Sequence, residues 1–229
     1  FKIICVLCVC FLFLRFQTSQ NTVTIQFTPK VKSHQKQRLE TTIKTIVEKM
    51  TLHISIPLTI IVYHCDPSLQ SGHSGKKKLK QYEYIDDLSY YQHYMKQNKV
   101  TNDNRKWNMT YGAGATPKIP YVTICDASVL CTLTNPHKEY IVVHEIAHSL
   151  WSLSLKYTSH YHSIRKIYDK YKERLSKDCP KVYACQSLDE FFAVSSEVWF
   201  GATTRKDTTK GIETPQLIRT NFPELYKLA

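Results

Sequence analysis

The sequence of 229 residues has few of the features that mark a membrane protein or a multidomain protein. Beyond residue 20 it contains no long apolar run, no internal repeat and no segment that resembles a domain linker. Because a membrane-spanning helix needs about 20 mostly apolar residues, we expect residues 21–229 to form one soluble domain without membrane insertion. The composition, with 42% hydrophobic and 22% charged residues, is sufficient for an ordinary globular core.

Acidic residues are scarce relative to basic ones, 19 against 31, and the formal net charge is therefore +12. Nucleic-acid binding requires a basic stripe together with a recognisable binding module, and no such module is present. Most of the positive charge is scattered, and the one concentrated run, at residues 76–80, is typical of a solvated loop. We therefore predict no nucleic-acid partner, while attraction to acidic surfaces or substrates stays open.

The first twenty residues differ from the rest of the chain. Lys2 precedes an apolar run at residues 3–14, and polar residues follow at 17–20. This run is short for a bilayer span but suits the core of a signal peptide. We predict a signal peptide at residues 1–20 and a secreted, extracellular protein, with an uncleaved anchor or a buried helix as the alternatives. A sequon for N-glycosylation at Asn108 is compatible with secretion.

Outside this leader the chain has no C-x-x-C spacing, so a cysteine-based zinc site has little support. Three of the eight cysteines belong to the leader, which leaves five. In an oxidising compartment most of these should form disulfides. We predict the two short-range pairs, Cys125 with Cys131 and Cys179 with Cys185, which leaves Cys65 over.

The spacing of apolar residues predicts an α+β domain in which strands come first and helices follow. Strands are predicted at residues 23–27, 58–63 and 121–125, and helices at about 33–50, 86–99, 161–175 and 188–200, with one more that starts near 138 and a short docking helix in the tail. Residues 112–114 are predicted to form a turn. The strand at residues 121–125 is expected to present an open edge to an extended peptide.

Residues 144–148 have the sequence H-E-I-A-H and lie in an apolar run. Helical residues four apart lie on the same face, so His144 and His148 can both reach one zinc ion. Glu145 can then contact the water bound to that ion. With ten histidines and ten glutamates in the chain, an accidental match has a probability of roughly 2%, so the surrounding residues decide the interpretation.

A catalytic zinc ion needs three protein ligands and an open position. The extended three-histidine motif requires Gly and His where this chain has Trp151 and Ser154, so we expect a carboxylate from farther along the chain. Glu190 and Glu197 lie seven residues apart on one predicted helix and so share a face. The alternative is that one carboxylate caps the helix and the other pairs with a lysine.

The surrounding residues resemble known peptidase families. Residues 183–197 resemble the Y-A-x-x-x-x-x-E-F-F-A-V-x-S-E signature of MtfA-type zinc peptidases, and they are also similar to the catalytic domain of anthrax lethal factor-type peptidases. Residues 112–116, 120–123, 129–131 and 141–145 are similar to secreted members of this lethal factor-like group. Residues 221–226 are similar to the closing F-P-x-L-Y of MtfA-type sequences, so the resemblance covers roughly residues 110–229.

The resemblance implies a zincin-like metallopeptidase fold with a small mixed sheet, an active-site helix, a second ligand-bearing helix and one Zn2+. The matching positions are His144, His148 and Glu190 for the metal ligands, Glu145 for the general base, and Tyr183 for a tyrosine near the scissile carbonyl. Glu197, whose position varies between the two groups, is a candidate for holding a ligand in place rather than binding the metal.

Residues and resemblance together predict a secreted, monomeric zinc endopeptidase of the gluzincin type that acts on protein or peptide substrates. One alternative is a secreted, non-catalytic binding protein that retains the fold, although the intact Glu145 argues against it. Another is a structural zinc site closed by a fourth ligand, Cys179 or Cys185.

Overall fold

The computed structural model describes residues 23–50, 57–64, 112–118, 120–127, 129–130, 141–203 and 209–223. Several predictions concern residues outside these ranges: the signal peptide, the lysine-rich run, the helix at residues 86–99, the sequon at Asn108, and the cysteines Cys65 and Cys131. Within the described ranges the chain combines a four-stranded sheet with five α-helices, which confirms the α+β class.

The sheet is built from strands β1 (Val23–Phe27), β2 (Leu58–Tyr63), β3 (Gly112–Ala113) and β4 (Tyr121–Cys125). Its order is β1-β2-β4-β3, with β1, β2 and β4 parallel and β3 antiparallel to β4. The three longer strands have the predicted bounds, which their β-branched residues favour. The predicted open edge is wrong, because β4 lies between β2 and β3, and residues 112 and 113 form a strand instead of a turn.

The helices are α1 (Ser33–Met50), α2 (Ile141–Leu153), α3 (His160–Leu175), α4 (Leu188–Trp199) and α5 (Pro215–Asn221). Short 3-10 helices occur at Leu155–Tyr157, Ser176–Lys181 and Tyr183–Cys185. These positions confirm the helices predicted near 33, 138, 161 and 188 and the short helix in the tail. No helix in the described ranges is long and apolar enough to cross a membrane.

Two hydrophobic cores stabilise the described part of the chain. The first lies between the sheet and helices α1 and α2, and includes Leu39, Ile43, Ile60, Val122, Ile124, Val143 and Ile146. The second joins α3, α4 and α5, and includes Tyr168, Tyr171, Phe191, Val194, Ile218 and Phe222. Helix α4 contributes Ala193 to the first core and Phe191 to the second. This shared packing holds α4 against α2.

A disulfide joins Cys179 to Cys185, with their Cα atoms 5.5 Å apart, and confirms the predicted pair. It closes the segment that links α3 to the Tyr183–Cys185 helix. Cys125 is also disulfide-bonded, and Cys131, its predicted partner, lies outside the described residues.

Candidate metal centre

The helices α2 and α4 carry the residues of the candidate site. Helix α2 is apolar around most of its circumference and is enclosed on several sides, so even His144 and Glu145 are only 5% and 6% exposed. Helix α4 begins where Ser187 accepts a hydrogen bond from the backbone N–H of Glu190, which places that glutamate in the first turn. The cap is therefore Ser187, and the Glu190 side chain can take another role.

Three ligand atoms converge between the two helices. The Nε2 atoms of His144 and His148 are 3.0 Å apart, and Glu190 Oε2 lies 3.2 Å from the first and 3.3 Å from the second. In a tetrahedral zinc site with bonds of about 2.0–2.1 Å, the ligand atoms are separated by about 3.3 Å. The group therefore has the dimensions of one face of such a site and could hold a metal ion.

The charges of the three groups also suit a cation. Glu190 Oε2 is buried, and its contacts with the two imidazole nitrogens do not have the geometry of full hydrogen bonds, so a bound cation would stabilise the carboxylate further. Burial acts to raise the pKa of Glu190, but the neighbouring imidazoles of His144 and His148 outweigh it and hold that pKa far below its usual range. The carboxylate therefore stays ionised.

Glu197 contacts His144 at Nδ1, the ring nitrogen that does not face the candidate metal group. Its Oε1 lies 2.5 Å from Nδ1 of His144, and the residue is 1% exposed. With the Nδ1 proton donated to this carboxylate, the lone pair of Nε2 is directed at the centre of the group, as in carboxylate–histidine–metal triads. Burial alone would lower the pKa of His144, but the contacts with Glu190 and Glu197 raise it well above its usual value.

The small residue Ala193 explains how both glutamates reach α2. It lies three residues after Glu190 and four before Glu197, on the same helical face, and it is fully buried. Because its side chain is a single methyl group, α2 can approach α4 closely between the two carboxylates. The structure thus brings Glu190 and Glu197 to the same histidine from two turns of one helix.

Glu145 lies beside the edge strand β3. An ideal Cβ on Gly112 would be 2.7 Å from Glu145 Cγ, closer than a real Cβ atom tolerates, and 3.0 Å from its Oε1, which is also tight. Glycine at this position therefore allows the strand to pass next to the carboxylate. The motif predicts Glu145 next to a ligand, and the structure shows that strand β3 passes beside the same side chain.

Tyr183 lies in the 3-10 helix Tyr183–Cys185, and its ring centroid is 6.2 Å from that of His144. The neighbouring Val182 and Ala184 are buried. Tyr168 donates its hydroxyl hydrogen to the carbonyl of Cys185 at 2.7 Å. The predicted tyrosine is therefore next to the metal group, on a segment that packing and the disulfide hold in place.

Sequence reasoning missed the residues that join β3 to α2. The Ser149 hydroxyl accepts a hydrogen bond from the N–H of Ala115 and donates one to the carbonyl of Glu145, both at 2.7 Å. Gly114 passes close to His148, since a Cβ there would be 2.5 Å from the histidine Cβ. Gly112 and Gly114, separated by one residue in a chain that has only six glycines, were the sequence signal that the backbone here passes close to another element.

Comparison of the chain with protein-family models, with curated proteins and with solved structures finds no match. The functional interpretation therefore depends on the geometry of the site and on the residues that compose it.

Proposed function

We propose that this protein is a zinc-dependent endopeptidase with His144, His148 and Glu190 as the metal ligands and Glu145 as the general base. The observation that carries the proposal is the convergence of two imidazole nitrogens and one buried carboxylate oxygen within 3.3 Å of one another. Two histidines and one carboxylate form a usual ligand set of catalytic zinc, which leaves a position for water.

The two-helix arrangement supports a zincin-like fold. In the proposed assignment α2 is the active-site helix, α4 carries the third ligand, and the mixed sheet flanks α2. The resemblance of residues 183–197 to MtfA-type and lethal factor-type peptidases agrees with this assignment.

His144, His148 and Glu190 would hold the zinc ion, which would supply Lewis-acid chemistry and water with a pKa of about 7, a nucleophile available near neutral pH. Glu145 accepts the proton of the attacking water and transfers it to the leaving amine. Tyr183, beside His144, donates its hydroxyl hydrogen to the oxyanion that forms at the scissile carbonyl. Glu197 keeps the Nδ1 proton of His144 in place, so that Nε2 remains a ligand.

The substrate would bind along β3 instead of along β4. In the described sheet β3 has a neighbour on one side only, and it runs antiparallel to β4. An extended peptide that adds to this edge would pass directly beside Glu145, because Gly112 contacts that side chain.

Secretion is part of the proposal. The predicted signal peptide and the disulfide between Cys179 and Cys185 both favour an oxidising compartment. The same disulfide counts against a closed structural zinc site, since neither sulfur atom is then a free thiolate for the metal.

A digest of casein and a peptide library by the purified protein tests the function. We expect one zinc per chain, cleavage that 1,10-phenanthroline abolishes, and recovery after zinc is added back. Cleavage that the chelator leaves unchanged would refute metal-dependent catalysis. A protein that binds zinc but cleaves nothing would instead be the non-catalytic binding protein.

A further inference from the structure

Ser149 follows the second histidine directly and is fully buried, on the side of α2 that faces the edge strand. Its hydroxyl oxygen accepts from the N–H of Ala115 at 2.7 Å, and its hydrogen is donated to the carbonyl of Glu145 at 2.7 Å. One side chain thus joins the segment after β3 to the helical turn that carries the proposed base.

The backbones on either side of this hydroxyl are unusually close. A Cβ on Gly114 would be 2.9 Å from the carbonyl oxygen of Glu145 and 3.2 Å from the N atom of Ser149. Ala115 is fully buried, so removal of the hydroxyl would leave its N–H without a partner unless the strand segment moved away from the helix and admitted water. The two hydrogen bonds of Ser149 therefore attach the segment after β3 to α2 in the interior of the protein.

We infer that Ser149 is a positioning residue that sets the distance between the substrate-binding edge of β3 and the Glu145 and zinc site on α2. The inference rests on the proposed function, since the edge matters to catalysis only if a peptide binds there. A peptide that pairs along β3 is held at a fixed height above α2 by Ala115 and Ser149. The scissile carbonyl of this peptide then lies at the correct distance from the attacking water and from Glu145.

Ser149→Ala tests this role, with Ser152→Ala as the matched control. Ser152 lies on the same helix and is 9% exposed, and it makes no hydrogen bond to β3 in the described part of the chain. For an extended peptide we expect S149A to lower kcat/KM by about tenfold or more, because misplacement by a fraction of an ångström is costly to catalysis. For a short substrate that spans only the scissile bond, we expect a loss of about twofold or less, since it does not use the edge. S152A should leave both values unchanged.

Two further measurements separate positioning from a general loss of structure. Zinc stoichiometry and affinity should be the same in S149A and the wild type, because the ligands belong to α2 and α4. Amide exchange of Ala115, measured by NMR, should be slow in the wild type and much faster in S149A. If S149A does not fold, Ser149→Cys, which keeps the side chain small and weakens both hydrogen bonds, replaces it in every comparison.

Equal losses for long and short substrates, or an Ala115 amide that stays protected in the variant, would overturn the inference. A wild-type protein without activity on any peptide would refute the proposed function instead. In that case the exchange of the Ala115 amide still shows whether Ser149 attaches the strand to the helix.

Discussion

Three carboxylates belong to the two helices that hold the candidate metal group of His144, His148 and Glu190, and each has different surroundings. Glu190 faces two imidazole nitrogens, Glu197 faces the Nδ1 atom of His144, and Glu145 faces the backbone of β3. Their roles differ because a carboxylate that faces a lone pair binds a cation, whereas one that faces an N–H orients its donor. At the residue scale, we therefore propose three different roles for the same side chain, with Glu190 as a ligand, Glu197 as an orienting group and Glu145 as a base.

Replacement of Glu145 by Gln should separate metal binding from turnover. The amide has almost the same shape as the carboxylate but cannot accept the proton of the attacking water, so we expect kcat to fall by a factor of at least about 10². Zinc content, measured by atomic absorption, and the circular dichroism spectrum should match the wild type. Undiminished peptide cleavage by E145Q would remove Glu145 from the mechanism.

Zinc affinity should decrease as the pH falls. The contacts with Glu190 and Glu197 hold the pKa of metal-free His144 above its usual value, so protons compete with a metal ion for this histidine up to a higher pH than for an ordinary imidazole. Below the raised pKa, we expect affinity to fall by about tenfold per pH unit for each proton displaced. Competition with a chromophoric chelator across several pH values measures this slope.

Glu197→Gln is the control for the pH dependence. Without the charge of Glu197 the pKa of His144 should fall, so the affinity of E197Q should vary less steeply with pH over the same range. The exposed Asp189→Asn, on the same helix, should retain the wild-type slope. If zinc affinity varied equally steeply with pH in all three proteins, Glu197 would not be the group that raises the pKa of His144.

At the scale of elements, the contact between β3 and α2 depends on glycine. In Gly112→Ala the added Cβ would overlap Glu145 Cγ and the carbonyl oxygen of Thr123, at 2.7 and 3.0 Å. Either the strand or the base must move, at a cost of about 1–3 kcal/mol. We expect G112A to bind zinc normally and to lose most of its peptidase activity.

Gly201→Ala is the matched control for this substitution. A Cβ added to Gly201 would meet no atom of the described residues within 4 Å, and the φ of 65° makes alanine mildly unfavourable there. The variant should therefore lose some stability in urea denaturation but retain activity. If G112A were as active as G201A, close approach of β3 to Glu145 would have no part in catalysis.

The disulfide between Cys179 and Cys185 encloses the segment that carries Tyr183. Replacing both cysteines by serine should lower the free energy of unfolding by about 2 kcal/mol, because the short loop is then no longer closed in the unfolded chain. We expect a fall in kcat with unchanged zinc affinity, because Tyr183 loses its support while the ligands keep theirs.

A double-mutant cycle with Tyr183→Phe isolates this effect. If the disulfide acts on turnover through Tyr183, the combined variant should be no slower than Y183F alone. If the reductions in kcat caused by the cysteine replacements and by Y183F instead multiply, the disulfide supports the site independently of Tyr183.

At the scale of the described structure, the candidate metal group lies between two helices that belong to different cores. Helix α2 belongs to the core against the sheet, and α4 contributes to that core and to the one formed with α3 and α5. An ion bound by both helices therefore opposes the separation of the two cores, and it stabilises the native state in proportion to the binding free energy.

Zinc should accordingly raise the Tm. At 100 times the Kd, the gain is about 2.7 kcal/mol, which corresponds to roughly 5–10 °C for a chain of this size. Differential scanning calorimetry with 1,10-phenanthroline measures the loss of this gain, and the non-chelating 1,7-isomer is the control. A Tm that neither compound changes would show that no metal is bound between α2 and α4.

Much of the local structure followed from residue order. The alternation of apolar residues predicted β1, β2 and β4, and the spacing of Leu39, Ile43 and Val47 predicted α1. Both are properties of neighbouring residues, since strands and helices repeat every 2 and 3.6 residues. The order of the strands, in contrast, depends on which segments pair across the sheet. For this reason the local pattern predicted the open, substrate-binding edge at β4, whereas the structure has β3 at that edge.

By itself the sequence determined the candidate ligand pair: His144 and His148 share a face because a helix repeats over four residues. Only the tertiary structure decided which carboxylates meet them. Glu190 and Glu197 are more than 40 residues away and reach His144 because α4 packs against α2, with Ala193 in the same core as the apolar residues of α2. It likewise placed Ser149 against Ala115 and Gly112 against Glu145. Such contacts are set by packing between elements distant in the chain, and no local period encodes them.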